Sequence, residues 1–336
     1  MSQTNFHAFT SSEEVIDRFA SQVKGRTFVI TGPGARSVGG YTALALAKAG
    51  PAHLVLVSRN PATVQPVLDE IKATAPNVKA SFVRCDLSDQ DSVRGAAARI
   101  LEVAPAIDVL INNAGIVGDK EYTVDRRGNE MTLSANHVGH FLLTNLLAPA
   151  LLSAAATAAA GEARVVNITS AGHRMSPFRF DDYNFSGGRT YHPLMAYGQS
   201  KTANILFSAG LTARLRARGV TSTAVHPGTI LQTGIWDGLN VAPGEFEAAL
   251  SDLLEEAVRL SGGGVTQDAV GMEAKTTSQG SSTMLVAALD PELPALSPAY
   301  LENCQISEPS EYALDPENAE KLWELSEQLV GQKFGY

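Results

Sequence analysis

Four groups of residues, met in one order along the chain, carry the side chains needed to move a proton and a hydride. They are Thr31-Gly32 with Gly39, then Asn112-Asn113-Ala114-Gly115, then Ser170, then Tyr197-Gly198-Gln199-Ser200-Lys201. Tyr197 and Lys201 are spaced i, i+4, so on a helix they share one face. A nearby ammonium favours the tyrosinate and lowers a phenol pKa from its usual value of about 10. That would tune Tyr197 to exchange protons near neutral pH. Ser170 falls just past an apolar run, at the edge where open α/β sheets bind ligands. Its hydroxyl could hydrogen-bond a substrate carbonyl; taken alone it would equally serve as a helix cap or turn residue.

These groups need a cofactor loop ahead of them. An apolar run ends in Thr31-Gly32-Pro33-Gly34-Ala35-Arg36-Ser37-Val38-Gly39-Gly40, with a helical pattern behind it. Glycines let the backbone approach a ligand closely, and the helix N-terminus offers free N–H groups to a pyrophosphate. After the second apolar run stands Ser58-Arg59-Asn60, with no acid to hold a ribose 2′-hydroxyl. Arg59 and Arg36 could instead converge on a 2′-phosphate, which points to NADP(H). Asp86 and Leu87, after the third run, fall where an adenine would lie; Asp86 also reads as a helix N-cap.

The elements that must hold these residues alternate. Strands are expected at 27–31, 53–58, 79–85, 109–112, 164–169 and 221–226, and helices at 40–49, 62–75, 89–103, 129–147 and 196–218. This rhythm specifies a Rossmann-type doubly wound parallel sheet of about seven strands, with helices on both faces. Ahead of it, residues 11–23 read as a short amphipathic helix capped by Ser12, within an N-terminal helical extension of residues 1–24. Residues 25–336 read as one dehydrogenase/reductase domain. After His226 the rhythm loosens: helices are expected at 245–260, 281–289 and 316–330, a glycine-rich stretch at 261–264, and a last strand at 299–306. The alanine-rich residues 148–160 read as a helix tail and surface connection.

Composition narrows the class. The chain has 336 residues, 44 % hydrophobic and 18 % charged, with a formal net charge of −9, and reads as a soluble globular protein. With no basic stripe, a nucleic-acid partner is not expected. Cys85 and Cys304 are the two cysteines, read as free thiols of a reducing compartment. Neither a secretory signal nor an uninterrupted apolar run of membrane length is read, so a cytoplasmic location without stable membrane insertion is expected. His137 and His140 have helical ligand spacing, but no Cys or acid stands by to complete a site, and no metal is expected.

Over residues 25–330 the chain resembles the short-chain dehydrogenase/reductase family. The likeness rests on Thr31-Gly32, Asn112 to Gly115, Asn136, Ser170, Tyr197 with Lys201, and His226-Pro227-Gly228. Asn136-His137-Val138-Gly139-His140-Phe141 and the His-Pro-Gly segment look like its retinol-dehydrogenase-like and WW-domain-oxidoreductase-like branch. The N-terminal extension and residues 177–182 look like fungal members; no WW domain is read. The resemblance implies Tyr197 as general acid, Lys201 as the group that lowers its pKa and holds the nicotinamide ribose, and Ser170 as the orienter of the carbonyl. It gives Asn136 a proton-relaying water, Asn113, Ala114 and Gly115 the cofactor wall, and Pro227, Gly228 and Thr229 the nicotinamide end. It also implies a homodimer or homotetramer through the helices carrying Asn136 and Tyr197.

Two departures from the family pattern stand out. The glycine loop holds one extra residue, with Ser37 in place of the middle glycine, offering its N–H and hydroxyl to phosphate. The threonine after Pro227-Gly228 comes one position late, at Thr233. The 27 positions between Ser170 and Tyr197 leave residues 171–196, rich in aromatics, to roof the substrate or to pack on the sheet edge. Residues 229–280 form a second candidate lid. Apolar lids suit a hydrophobic carbonyl or alcohol substrate, such as a polyketide, terpenoid, steroid or retinoid-like compound. The expected activity is reduction of a ketone or aldehyde, or the reverse. The rivals are a redox-neutral epimerase, dehydratase or cyclase on the same fold, and a non-enzymatic NADPH-binding regulator.

Overall fold

Short apolar runs become the strands of one sheet, because strands covered on both faces carry no polar side. They are β1 (Thr27–Thr31), β2 (His53–Ser58), β3 (Lys79–Arg84), β4 (Val109–Asn112), β5 (Ala163–Ile168) and β6 (Val220–His226), joined by β7 (Ala299–Glu302) and β8 (Gln305–Ser307). The computed structural model describes residues 5–157, 162–239, 241, 245–260 and 274–336. Its sheet has the order β3-β2-β1-β4-β5-β6-β7-β8. All pairings are parallel except β7 with β8. The chain leaves β1 toward β2 and β3, then returns to place β4 on the other side of β1, making a topological switch point between β1 and β4.

The helices are α1 (Ser12–Phe19), α2 (Val38–Lys48), α3 (Pro61–Thr74), α4 (Gln90–Val103), α5 (Met131–Leu133), α6 (Gly139–Thr157), α7 (Pro193–Leu215), α8 (Phe246–Leu260), α9 (Thr277–Leu289), α10 (Leu293–Leu296) and α11 (Pro316–Val330). Their starts follow cap chemistry. Asn60 accepts from Ala62 N ahead of Pro61, and Ser37 accepts from Gly40 N. Two expected caps move by a few residues. Ser11, not Ser12, opens α1 through a capping box with Glu14. Asp89, not Asp86, caps α4, because only Asp89 reaches the N–H groups of Asp91 and Ser92.

Two further expectations are corrected. The helix expected at 129–147 is broken into α5, a π-helical turn at Ser134–Val138 and α6, which continues through Pro149 to Thr157. The last strand expected at 299–306 is a hairpin, which raises the strand count to eight. Asn303 and Cys304 turn it with φ of 54° and 61°, the left-handed pair of a tight hairpin, without a glycine to announce it.

Two apolar layers sandwich the sheet. One packs α4, α6, α7 and α11 against it, and the other packs α1, α2, α3 and α9. The run Met131–Thr157 is long and apolar enough to span a membrane, but 78 % of its central window is buried within the protein, as in a core helix. Phe141 on α6 and Phe207 on α7 lie beneath Trp323 of α11, with ring centroids 5.0 and 6.0 Å away. The chain's own last helix thus covers part of α6 and α7.

Candidate active site

At the C-terminal ends of β1, β4, β5 and β6 opens a cavity of about 670 Å³. It is lined from Arg36, Arg59 and Asn60 at one end to Ser170, Tyr197, Lys201 and the residues after β6 at the other. The loop after β1 forms its floor. Gly32 has φ +67°, and a Cβ there would come within 2.8 Å of Ala114 Cα, so the loop can lie flat on β4 only as glycine. Thr31 ties the two strands: its hydroxyl accepts from Asn113 N at 2.9 Å and Ala114 N at 3.0 Å. Asn113 Nδ2 in turn donates to Thr31 O at 2.8 Å.

The expected cofactor residues Gly32, Arg36, Ser37, Val38, Arg59, Asp86, Leu87, Asn113, Ala114, Gly115, Pro227, Gly228 and Thr229 all line this cavity, as does Thr233. Two assignments change. Gly39 lies off the lining in the first turn of α2, where a Cβ would meet Asn113 Nδ2 at 2.3 Å, so it serves helix–strand packing. The Ser37 hydroxyl is committed within the loop. It donates toward Gly32 O and Gly34 O, both at 2.8 Å, and accepts from Gly40 N at 3.0 Å. Ser37 is a cap first, which leaves only its place in the lining to phosphate. Asp86 Oδ1 accepts from the N–H and hydroxyl of Ser88.

The inner end brings Ser170, Tyr197 and Lys201 together. Tyr197 and Lys201 are both almost wholly buried on α7, with Lys201 Nζ 5.3 Å from the centroid of the Tyr197 ring. Lys201 Nζ donates to Ile168 O at 3.1 Å, at the end of β5. Ser170 Oγ accepts from Gly172 N at 3.0 Å and stands beside the Tyr197 phenol, whose pKa it lowers. The electrostatics differ from the expectation of an ammonium-lowered phenol. Burial pushes the Tyr197 phenol up to about 12, with the Ser170 hydrogen bond opposing it. Burial also pulls Lys201 down to about 8. Loss of water is the largest influence on both groups.

Asn136 lies within the π-helical turn, completely buried, and its side chain is occupied. Its Oδ1 accepts from Ile116 N at 2.8 Å, and its Nδ2 donates to Ile116 O at 2.9 Å and Ser200 Oγ at 3.0 Å. It therefore pins the segment after β4 that carries Gly115 to the helix that carries Tyr197. Its carbonyl takes the imidazole of His140 at 3.0 Å, whose other nitrogen meets Thr31 Oγ1 at 2.9 Å. His137 meets Ser326 Oγ at 2.8 Å. The two histidines thus lead to different partners.

The substrate side is apolar. Met175, Leu194, Ile235, Trp236, Leu250 and Leu254 line it beside Tyr197. From residues 171–196 only Gly172, Met175 and Leu194 reach the lining, whereas Phe178 and Phe180 stack on each other 4.8 Å apart against the α6–α7 layer. From residues 229–280, the turn 229–237 and α8 reach it; the glycine-rich stretch 261–264 lies outside the described residues. Sequence reasoning did not single out the α8 leucines or Trp236. Their helical and loop positions gave no signal without the neighbours they meet.

A switch-point cavity with a glycine floor, opening onto a buried serine, tyrosine and lysine, defines a nicotinamide-dependent oxidoreductase. The model of the short chain dehydrogenase family matches residues 26–243. The chain belongs to the short-chain dehydrogenase/reductase family, in its retinol-dehydrogenase-like branch. It is 34 % identical to retinol dehydrogenase 12 of Mus musculus over 310 residues, covering 92 % of this chain and 88 % of that one. It is 36 % identical to the oxidoreductase fscI of Fusarium equiseti over 245 residues, 66 % of this chain and 94 % of that one. Among solved structures, an uncharacterised protein of Mycobacterium paratuberculosis superposes with a TM-score of 0.67 at 30 % identity, covering 94 % of this chain and 98 % of that one.

Proposed function

We propose that this chain is an NADPH-dependent reductase of a ketone or aldehyde on a hydrophobic small molecule, able to run the reverse oxidation. The observation that carries the reading is one continuous cavity with two arginines at its outer end and Ser170, Tyr197 and Lys201 at its inner end. The residues fit the cofactor. The floor at Gly32 leaves room for nothing larger than hydrogen, α2 begins at the end of the loop, and Pro227, Gly228 and Thr229 line the same cavity as Lys201. Arg36, Arg59, Asn60 and Thr63 would hold a 2′-phosphate, since no acid follows Arg59 directly after β2 and the two arginines line the same cavity.

When bound, the reduced nicotinamide supplies a hydride to the carbonyl carbon. The chain's own residues handle the oxygen. Ser170 Oγ and Tyr197 Oη donate hydrogen bonds to it, and Tyr197 gives up its proton as negative charge develops there. Lys201, one turn along α7, stabilises the tyrosinate that remains and would hold the nicotinamide ribose. Asn136 contributes by fixing the Ile116 backbone rather than by touching the reacting atoms. The apolar wall of Met175, Leu194, Trp236, Leu250 and Leu254 keeps water from this exchange and selects a hydrophobic substrate.

The test is oxidation of NADPH and of NADH, followed by absorbance, against a panel of hydrophobic ketones and aldehydes. Turnover that prefers NADPH supports the reading. Tight NADPH binding with no net consumption of the cofactor on any carbonyl would favour a redox-neutral reaction or a regulator instead.

A further inference from the structure

One buried imidazole, outside the residues assigned to chemistry, joins the serine of the site to the far end of the chain. His173 is fully buried, three residues after Ser170 in the turn that links β5 to α7. Its Nδ1 lies 2.7 Å from Ser170 O, and Ser310 N donates to its Nε2 at 3.1 Å. A carbonyl only accepts and an amide only donates, so one neutral tautomer satisfies both bonds: Nδ1 protonated, Nε2 bare. Burial holds the ring in that neutral form by drawing its pKa to about 4, with the charge of Arg174 acting the same way.

The rest of the turn is held from the same two directions. Tyr312 Oη donates to His173 O at 2.6 Å from the C-terminal segment, and Thr202 Oγ1, next to Lys201, donates to it at 3.2 Å. Thr202 also donates to Ser176 O at 2.7 Å. Tyr300 on β7 meets the imidazole edge-on at 5.4 Å. The turn carries both the Ser170 hydroxyl and the Gly172 backbone that faces the Tyr197 ring. Any shift of it therefore moves the proton donor's two neighbours together.

We propose that His173 is a positioning residue, a clamp by which the segment around Ser310 holds Ser170 and Gly172 in place beside Tyr197. The proposal rests on the catalytic reading of Ser170 and Tyr197. It adds that the C-terminal segment, far outside the cofactor fold in sequence, sets the geometry of the proton donor. Ser170 stabilises the tyrosinate form of Tyr197. Loosening Ser170 must then raise the phenol's pKa and move the Tyr197-governed limb of the pH–rate profile to higher pH in either reaction direction.

Ser310→Pro is the cleanest test. Ser310 already has φ −60°, proline's own value, so the change removes the N–H that reaches His173, together with the Ser310 hydroxyl beside Tyr312, without altering the backbone path. His173→Phe removes both ring bonds, and His173→Asn restores a donor near the Nδ1 position. For Ser310→Pro and His173→Phe the clamp requires a kcat lower by about tenfold, with KM for NADPH within about twofold of wild type. It also requires the pH limb to rise by about half a unit, with partial recovery of both in His173→Asn. Unchanged kcat in Ser310→Pro overturns the clamp. So does a loss that tracks melting temperature and NADPH affinity while the pH limb stays put, since that is mere packing. Tyr197→Phe run alongside separates the two readings. If it retains turnover, the catalytic reading fails; if it is inactive while Ser310→Pro is normal, only the clamp fails.

Discussion

Gly172 backs directly onto Tyr197: a Cβ at Gly172 would lie 3.0 Å from Tyr197 Cε1 and 3.1 Å from Cδ1. The ring is packed into α7 and can yield by only a few tenths of an ångström. Gly172→Ala should therefore fold but tilt the phenol away from its partners. We expect kcat to fall by about tenfold or more with little change in cofactor KM. Steady-state kinetics on the purified variant, beside its melting curve, checks this.

The two arginines at the outer end should decide between cofactors. Neither Arg36 nor Arg59 forms a salt bridge within the structure's described residues, so both are available to a phosphate. Arg36→Ala and Arg59→Ala should each raise KM for NADPH by about tenfold and leave KM for NADH nearly unchanged, the loss of one charge-assisted contact. An equal rise for both cofactors would remove the 2′-phosphate from the account.

Lys201 costs the protein stability. Its folded pKa, about 8, lies below the ordinary 10.5, so the buried cation is disfavoured relative to the unfolded chain. That penalty is full below about pH 8 and fades as pH rises toward 10.5, where the unfolded chain also loses the proton. Lys201→Met should remove activity yet raise the melting temperature at neutral pH, with the gain shrinking across that window. Ile168 O would keep a partner, because Asn204 Nδ2 donates to it at 3.0 Å. Melting curves at several pH values check the sign.

Trp323 anchors α11 to the α6–α7 layer. It is 3 % exposed, contacts Phe141 and Phe207, and carries the Arg214 guanidinium 4.0 Å above its ring. Trp323→Ala should cost about 3–5 kcal/mol, and so lower the melting temperature by about 10 °C. None of Trp323, Phe141 and Phe207 lines the cavity, so turnover per folded molecule should change little.

Much of this was legible in the sequence, and the reasons differ by residue. β1, β2, β4 and the Tyr197–Lys201 pair were readable because apolar runs and i, i+4 spacing are local signals. The arginines after β2 and in the glycine loop were readable because their chemistry is explicit. The displaced caps show the limit of local reading. Asp86 and Asp89 are equally good caps in type, and only the path of the chain decides that Asp89 reaches the helix. Ser37 suits phosphate by type, whereas the path of the loop turns its hydroxyl back onto Gly32 and Gly34. The 303–304 turn was hidden because Asn and Cys stand where glycine usually would. The burial that dominates the Tyr197 phenol comes from α8 and the 170–176 turn, segments far apart in sequence.

The central claim is that Tyr197 donates the proton, and Tyr197→Phe tests it most directly. The variant should bind NADPH with wild-type affinity, measured by cofactor fluorescence, because the phenol hydroxyl is all that is lost. Its kcat on a carbonyl that the wild type reduces should fall by about a thousandfold or more, as removal of an essential proton donor demands. A kcat within about tenfold of wild type, with binding intact, would contradict the mechanism.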